Sequence, residues 1–428
     1  MAAPLTRRSF LQLGATASLG VFASAPPAAG AGFRVGIGSD PDAYAATSRA
    51  IAASGDWPSL AIAGRRVIIK PNLVSPLPST TGLTTDPQVV RAVVDQALGA
   101  GAAQVLIVES GPRGASFSAC GYDFFGTYDP LGRVQLVDLS TQATTLAPVP
   151  GGGLAYSAIR VPAPVLDPSA VFVSVGKMKT HNETLATLST KNLFGLPDVH
   201  SYVSQPPAGR FAMHDRGINE AIVDVNQLRP IHFSVIDAMW GMEGAGPLYG
   251  TPIQVNAVLA GLNAVAVDRA ALTVMQIPQQ AVRHLAYAAR FGLGPADASN
   301  IIVAGDALPP QPFALPIISP VVEYPRLVPS AFRPAAGQRT AIALWYAETC
   351  MRRLEIVRLY DDSTEVDLIR TIADYAQVTS GYEWSAWDGT DDSGGIVPAG
   401  RYAVHVRCYS LRADVRHSDA VTSVTVNA

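Results

Sequence analysis

The sequence predicts an α/β domain built on a largely parallel sheet flanked by helices, followed by a small C-terminal β-sandwich. Three observations carry this. From residue 33 to about 304, short β-branched runs alternate with segments whose apolar positions recur every three or four residues, the pattern of βαβ units. Residues 306–334 then hold eight prolines and read as a linker. Beyond them the pattern becomes short strands separated by turn-rich loops, with no long amphipathic helix between.

Taken in order, residues 66–69 (RVII) form a buried strand, followed by a Pro/Ser/Thr/Gly loop. Asp86 and Pro87 open a helix with apolar residues at Val89, Val90, Val93, Val94 and Leu98; Asp86 suits the N-cap and Pro87 the first turn. Gly99-Ala100-Gly101 stops it, and residues 104–108 are the next strand, giving a right-handed crossover between parallel strands. Residues 171–175, 232–236 and 301–303 are further buried strands, and residues 218–228, 264–275 and 279–290 are helices. His214-Asp215 begins the first of these, with Asp215 as its N-cap. After the linker, strands are expected at 342–346, 354–359, 381–387 and 402–409.

Before the fold comes an address. Thr6-Arg7-Arg8-Ser9-Phe10-Leu11, an apolar Ala/Gly-rich run and a small-residue cleavage site ending near Ala31 have the layout of a twin-arginine signal peptide. The division is therefore 1–31 signal, 32–305 α/β domain, 306–334 linker and 335–428 β-module, with the export machinery as a partner and a periplasmic or cell-surface destination. No later run is long enough to span a membrane; the best, residues 257–275, is interrupted by Asn263, Asp268 and Arg269. A net charge of −3 gives no electrostatic footprint for nucleic acid. The three cysteines, Cys120, Cys350 and Cys408, have no metal or iron–sulfur spacing, so no iron–sulfur cluster is expected; buried thiols are the favoured reading, and export permits a Cys350–Cys408 disulfide as the alternative.

The chemistry lies in the lysines. Of 31 basic residues only four are lysine: Lys70, Lys177, Lys179 and Lys191; arginine fills every other basic position. Lysine differs from arginine in being a compact point charge that can lose its proton when buried. Each lysine follows or flanks a predicted strand, where ligands of α/β sheets bind. Lys70-Pro71-Asn72 ends one strand, with Thr85 at the helix start facing it. Glu109 ends a second, and Lys177, Lys179, Thr180 and His181 follow a third. Lys191-Asn192 returns from an excursion, and Asp237, then Glu243-Gly244, follow a fourth strand. These residues define a candidate site for a small anionic ligand. Lys177, Lys179, His181 and Glu243 are the candidate proton carriers or nucleophiles, and Lys70, Asn72, Thr85, Glu109, Thr180, Lys191, Asn192, Asp237 and Gly244 bind. Asp268, beside Arg269 in a helix, serves structure, for instance by pairing with a buried lysine. Residues 196–211, rich in proline and glycine, form either a lid or an exposed excursion.

Six motifs resemble those of domain-of-unknown-function family 362: KPNL at 70–73, TTDP at 84–87, KMKTH at 177–181, KNLFG at 191–195, GMEGAGP at 241–247 and NAVAVD at 263–268. The resemblance covers most of residues 33–305 and implies no particular reaction. Many members resemble ferredoxin fusions with cysteine clusters, which this chain lacks. The tail, with EWSAWDGTD at 383–391 and GGIVPAGRY at 394–402, is similar to the immunoglobulin-like module of flagellar hook-capping proteins. Asp388-Gly389 and Ser393-Gly394-Gly395 supply its tight turns, and a Ca²⁺ loop from Asp388, Asp391 and Asp392 is the functional alternative. Enzyme and non-catalytic envelope binding protein both remain open readings, as do metal and cofactor content.

Overall fold

The structure is a computed structural model describing residues 32–110, 117–202, 210–316, 322–346, 349–359, 366–410 and 417–428. The signal peptide and residues 203–209 of the expected lid lie outside these. Among the described residues, eleven strands precede residue 306: β1 (Phe33–Ser39), β2 (Arg66–Pro71), β3 (Gln104–Glu109), β4 (Val134–Asp138), β5 (Thr144–Pro148), β6 (Ala158–Pro162), β7 (Val171–His181), β8 (Leu185–Ala186), β9 (Phe233–Glu243), β10 (Thr251–Gly261) and β11 (Ile301–Gly305). The helices are α1 (Ala43–Ser54), α2 (Pro87–Gly99), α3 (Ser189–Asn192), α4 (Phe211–Leu228), α5 (Ala264–Met275) and α6 (Arg283–Arg290).

The main sheet runs β11-β1-β10-β9-β7-β2-β3-β4, with β8 hydrogen-bonded to β7. Strands β9, β7, β2, β3 and β4 are mutually parallel, and β10 is antiparallel to both neighbours. Helices cover both faces, as a parallel sheet requires. Val67, Ile69, Val173 and Val175 pack with α1 and α2 on one face; Ile68, Leu106, Val108 and Phe172 pack with α4 on the other. This alternation sends successive residues of each strand to opposite sides. It matters at the strand ends, where polar residues replace the aliphatic ones.

Local signals set several boundaries. The Asp86 side chain accepts the Gln88 N–H with Pro87 in the first turn, and Asn263 caps α5 through the Ala266 N–H. Two expectations are corrected. Helix α4 starts at Phe211 with Arg210 at its N-cap, not at His214-Asp215, and Gly217 (φ 124°) breaks its geometry. Nor is the described first part of the expected linker, residues 306–316, free of the domain. Phe313 is buried in the core beside α5, the Phe313 N–H donates to the Met275 carbonyl and the Gly244 N–H to the Ala314 carbonyl. The prolines forbid helix, yet Gln311, Phe313 and Ala314 between and beside them keep their N–H donors and bind the extended chain to the domain.

Strands β12 (Val322–Val328) and β13 (Ala331–Phe332) fall within the same stretch and already belong to the C-terminal region. With β14 (Thr340–Tyr346), β15 (Cys350–Leu359), β16 (Val366–Val378), β17 (Gly381–Trp387), β18 (Gly400–Ser410) and β19 (His417–Val426), they form two separate sheets, β12-β14-β17 and β13-β19-β18-β15-β16. Pro325 sits at the register irregularity of edge strand β12, where a missing donor is tolerated. One apolar cluster joins the sheets around Trp387, Tyr402 and Phe332. The Asp388, Asp391 and Asp392 carboxylates accept turn and cross-strand hydrogen bonds from Thr390, Ser393, Gly395 and Thr371. No cluster suited to a metal occurs among the described residues.

Candidate functional site

The parallel strands deliver their polar ends to one edge of the sheet, and two buried ion pairs frame it. Lys177 Nζ donates to Asp237 Oδ2 at 2.8 Å, both side chains fully buried, and the two residues are register partners on β7 and β9. Asp237 also accepts the backbone N–H of Asp86 and of Met239, tying the start of α2 to β9. Lys70 Nζ donates to Glu109 Oε2 at 2.8 Å, to the Pro71 carbonyl and to Asn192 Oδ1. Glu109 completes its shell with the N–H groups of Leu73 and Ser110. The pairs lie on opposite faces of the sheet: Lys177 beside α2, Lys70 against Gly195. A Cβ on Gly195 would lie 2.8 Å from Lys70 Cε and Nζ, so a side chain there would have to displace the Lys70 amine.

Asn72 and Asn192 bridge the two faces. Asn72 Nδ2 donates to Asn192 Oδ1, and Asn192 Nδ2 donates to the Lys70 carbonyl and Ser174 Oγ. Asn72 Oδ1 accepts from Lys179 Nζ at 2.8 Å, and the Leu83 carbonyl accepts a second bond from that amine at 2.7 Å. Thr85 locks the frame, its Oγ1 accepting the Asn72 N–H and donating to the Val175 carbonyl. Lys179 makes no ion pair among the described residues. Burial drives its pKa well below the ordinary value; the charges of Lys191, Lys177 and Lys70 push the same way, and only Glu109 opposes them. The other three lysines therefore sit within electrostatic reach of this amine.

Lys191 reaches this place because the chain folds straight back on itself. Strand β8 pairs with Thr180 and His181, and the N–H groups of Thr187 and Leu188 donate to the carbonyls of Lys179 and Lys177. Leu185 and Leu188 adopt positive φ (62° and 76°) in this return, each costing on the order of 1–3 kcal/mol. Asp268 accepts the N–H groups of Ser189 and Thr190 and the Thr190 hydroxyl, fixing α3 to α5. Its partners are thus backbone amides and a hydroxyl, not the lysine expected from sequence. Lys191 is buried with its amine 5.5 Å from the Phe194 ring centroid and shows no ion pair among the described residues. Burial lowers its pKa to about 8, with Glu183 acting against the shift.

His181 accepts the Glu183 N–H at Nδ1, which leaves the ring proton on Nε2. Burial, then Lys191, hold it neutral, with a pKa well below the usual value. Its ring stacks on His214, which is hydrogen-bonded to Glu183 and meets Phe194 edge-on. Thr180 turns away, donating to the carbonyls of Met242 and Gly244. Glu243 also leaves the group: its carboxylate accepts the Ala314 N–H, and the Gly244 N–H bonds the same segment. The structure brings together Lys70, Asn72, Thr85, Glu109, Lys177, Lys179, His181, Lys191, Asn192 and Asp237; Thr180, Glu243 and Gly244 instead secure the loop behind them.

Sequence reasoning missed Arg210 and His284. Arg210 donates to the carbonyls of Pro197 and Gly195 and to Ser110 Oγ, beside the Lys70–Glu109 pair, and burial lowers its pKa to about 10. His284 meets Asn219 Oδ1 and is driven down to about 3 by burial and by Lys191. Neither residue type is rare in this chain, so composition gave no signal for them.

Residues 67–273 match the model of a domain of unknown function, DUF362. Thylakoid-associated protein sll1697 of Synechocystis sp. is 27% identical over 238 residues, 54% of this chain and 70% of that protein. Among solved structures, a truncated FlgD of Helicobacter pylori is similar over 21% of this chain at 22% identity and a TM-score of 0.17; this chain spans 62% of it. The alkylpurine DNA glycosylase AlkC of Pseudomonas fluorescens is similar over 26% of this chain and 31% of its own, at 11% identity and a TM-score of 0.17. Scores this low carry no argument about fold or activity.

Proposed function

We propose that the protein binds a small anionic molecule at the C-terminal edge of its main sheet, with Lys191 as charged anchor and Lys179 as a neutral amine beside it. One observation carries the reading: Lys179 and Lys191 are both buried, and neither forms an ion pair with a carboxylate among the described residues, Glu183 acting on Lys191 only at a distance. A buried ammonium without counter-charge is costly, and it responds by losing its proton or by recruiting an anion. Lys179 takes the first course. Lys191, with a pKa of about 8, is mostly protonated at neutral pH and takes the second. Lys70 and Lys177 spend their amines on Glu109 and Asp237 and serve as frame, with Asn72, Thr85 and Asn192 as its neutral hydrogen bonds.

Thermal melting with phosphate, oxalate or pyruvate added tests this. A ligand at 100 times its dissociation constant stabilises by about 2.7 kcal/mol. At least one of the three anions raises Tm, Lys191→Met abolishes the rise, and the rise weakens as pH climbs past about 8, where Lys191 loses its charge. No rise with any of the anions, or an equal rise in Lys191→Met, would refute the reading.

The chain is further proposed to leave the cytoplasm by the twin-arginine route, on the strength of Arg7-Arg8 and the apolar run after them. No helix of the described residues is long and apolar enough to cross a membrane. Replacing both arginines by lysine leaves precursor in the cytoplasm; unchanged export would overturn the assignment. The two C-terminal sheets, sharing one core around Trp387, suit an immunoglobulin-like sandwich that displays the α/β domain.

A further inference from the structure

Resting on that reading, we propose that Lys179 is an imine-forming nucleophile and that the anion carries an aldehyde or ketone beside its charge, a 2-oxo acid being the simplest case. The geometry points there. A neutral amine has two N–H groups and one lone pair. Both N–H groups of Lys179 have acceptors, Asn72 Oδ1 and the Leu83 carbonyl, and both acceptors are carbonyl oxygens that cannot donate to the lone pair. Lys70 and Lys177, by contrast, donate to the carboxylates of Glu109 and Asp237. Asn72 is fixed by Asn192 and Thr85, so the amine is aimed before any ligand arrives.

The anchor stands next to the nucleophile. Asn192, next to Lys191 in the chain, is joined to Lys179 through Asn72, so the anionic group and the carbonyl are neighbours in the ligand. His181, two residues along the same strand, lies on the same side as Lys179 and carries its proton on Nε2, the form that polarises a carbonyl oxygen by donating to it. In the reaction the lone pair attacks the carbonyl carbon and a C–N bond forms. The carbonyl oxygen takes up the proton that the nitrogen releases, giving a carbinolamine. Protonation of the hydroxyl from solvent lets water leave as the C–O bond breaks, and a C=N bond remains. The iminium keeps one N–H, which still has Asn72 Oδ1 or the Leu83 carbonyl to bond. Among the four lysines only Lys179 combines burial, two carbonyl acceptors and no carboxylate.

The test is reductive trapping. The full chain is incubated with pyruvate at neutral pH, treated with sodium borohydride, which delivers hydride to the imine carbon, and digested for peptide mass spectrometry. Each unit by which an amine's pKa falls raises its neutral fraction about tenfold. The reduced pyruvate adduct is therefore expected on Lys179 at least about tenfold above the other three lysines and the α-amine, and excess oxalate suppresses it. Lys191→Met lowers trapping while leaving the Lys179 peptide intact. Absence of the adduct, or an equal spread over all four lysines, overturns the inference. If the anions still raise Tm in that case, the anion site stands and Lys179 is not its nucleophile. If neither trapping nor a Tm rise is seen, both readings fall.

Discussion

The amine of Lys179 meets two carbonyl oxygens and no carboxylate, a setting that lysine can enter by shedding its proton. Arginine cannot, because its guanidinium stays charged and brings five donors where only two acceptors wait. Lys179→Arg should therefore destabilise the fold by about 3–5 kcal/mol in urea unfolding, the usual cost of an uncompensated buried charge. A change within about 0.5 kcal/mol would show that lysine is not required there. The composition made this set legible, since lysine occurs only four times and all four residues lie at the edge of the sheet. Histidine gave no such signal, yet two rings make a separate prediction. Burial lowers His284 to about 3 and His232 to about 4, against about 6.5 in an unfolded chain. The native rings stay neutral while the unfolded chain takes up protons below about pH 6.5. Their contribution is present above that value and is lost as pH falls towards 4 and then 3, by at most about 1.4 kcal/mol per pH unit for each ring. Asp224 and Asp268, raised to about 7 by burial, act the other way, so the histidine contribution is read as a difference: between pH 7 and about pH 5 the urea midpoint of His284→Gln should fall less, or rise more, than that of the parent. An equal slope in the variant would remove His284 from the account.

At the level of elements, the frame depends on how strands end and helices begin. Asp86 caps α2 with its side chain, while its backbone N–H is held by Asp237. Asp86→Ala should cost about 0.5–2 kcal/mol, the loss of one N-cap, and leave the Asp86–Asp237 contact intact because the backbone makes it. Anion-induced stabilisation should survive in that variant; its loss would mean that the cap reaches into the site. Helices α2 and α5 were readable because capping residues and apolar period agree there. Strand β10 was not. It runs into α5 through Gly261, Leu262 and Asn263, so its aliphatic residues and those of the helix read as one apolar stretch from 257 to 275. Strand β9 was read as five residues instead of eleven, because its continuation after Asp237 is Ala238, Met239, Trp240 and Gly241, where β-branched residues give out. The return that brings Lys191 beside Lys179 needs two leucines at positive φ, a choice that tertiary contacts impose against local preference.

On the scale of the whole chain, the alternation of strand and helix was legible before residue 305, and so was the change of pattern after it. Proline density reads the segment between as a linker, because it signals the absence of helix and says nothing about docking. Phe313 separates the two descriptions. A linker phenylalanine is dispensable, whereas Phe313 is buried between Gly241 and the core beside α5. Phe313→Ala should cost about 3–5 kcal/mol and lower the Tm of the α/β domain. A Tm equal to that of the parent would restore the linker. The same docking places Ala314 against Glu243 and Gly244, so the segment also closes the back of the loop whose front carries Thr180.

The central claim is that four lysines share one buried site in which Lys179 is neutral and Lys191 titrates near 8. Because the chain has no other lysine, ¹³Cε-lysine labelling gives four side-chain signals, every one from this site. An NMR pH titration of these signals, assigned by the single variants and repeated with oxalate, is the direct measurement. The account predicts that Lys179 stays neutral through physiological pH, that Lys191 has its midpoint near 8, and that oxalate moves the Lys191 midpoint upward. Four midpoints near the ordinary lysine value of about 10.4, indifferent to oxalate, would contradict it.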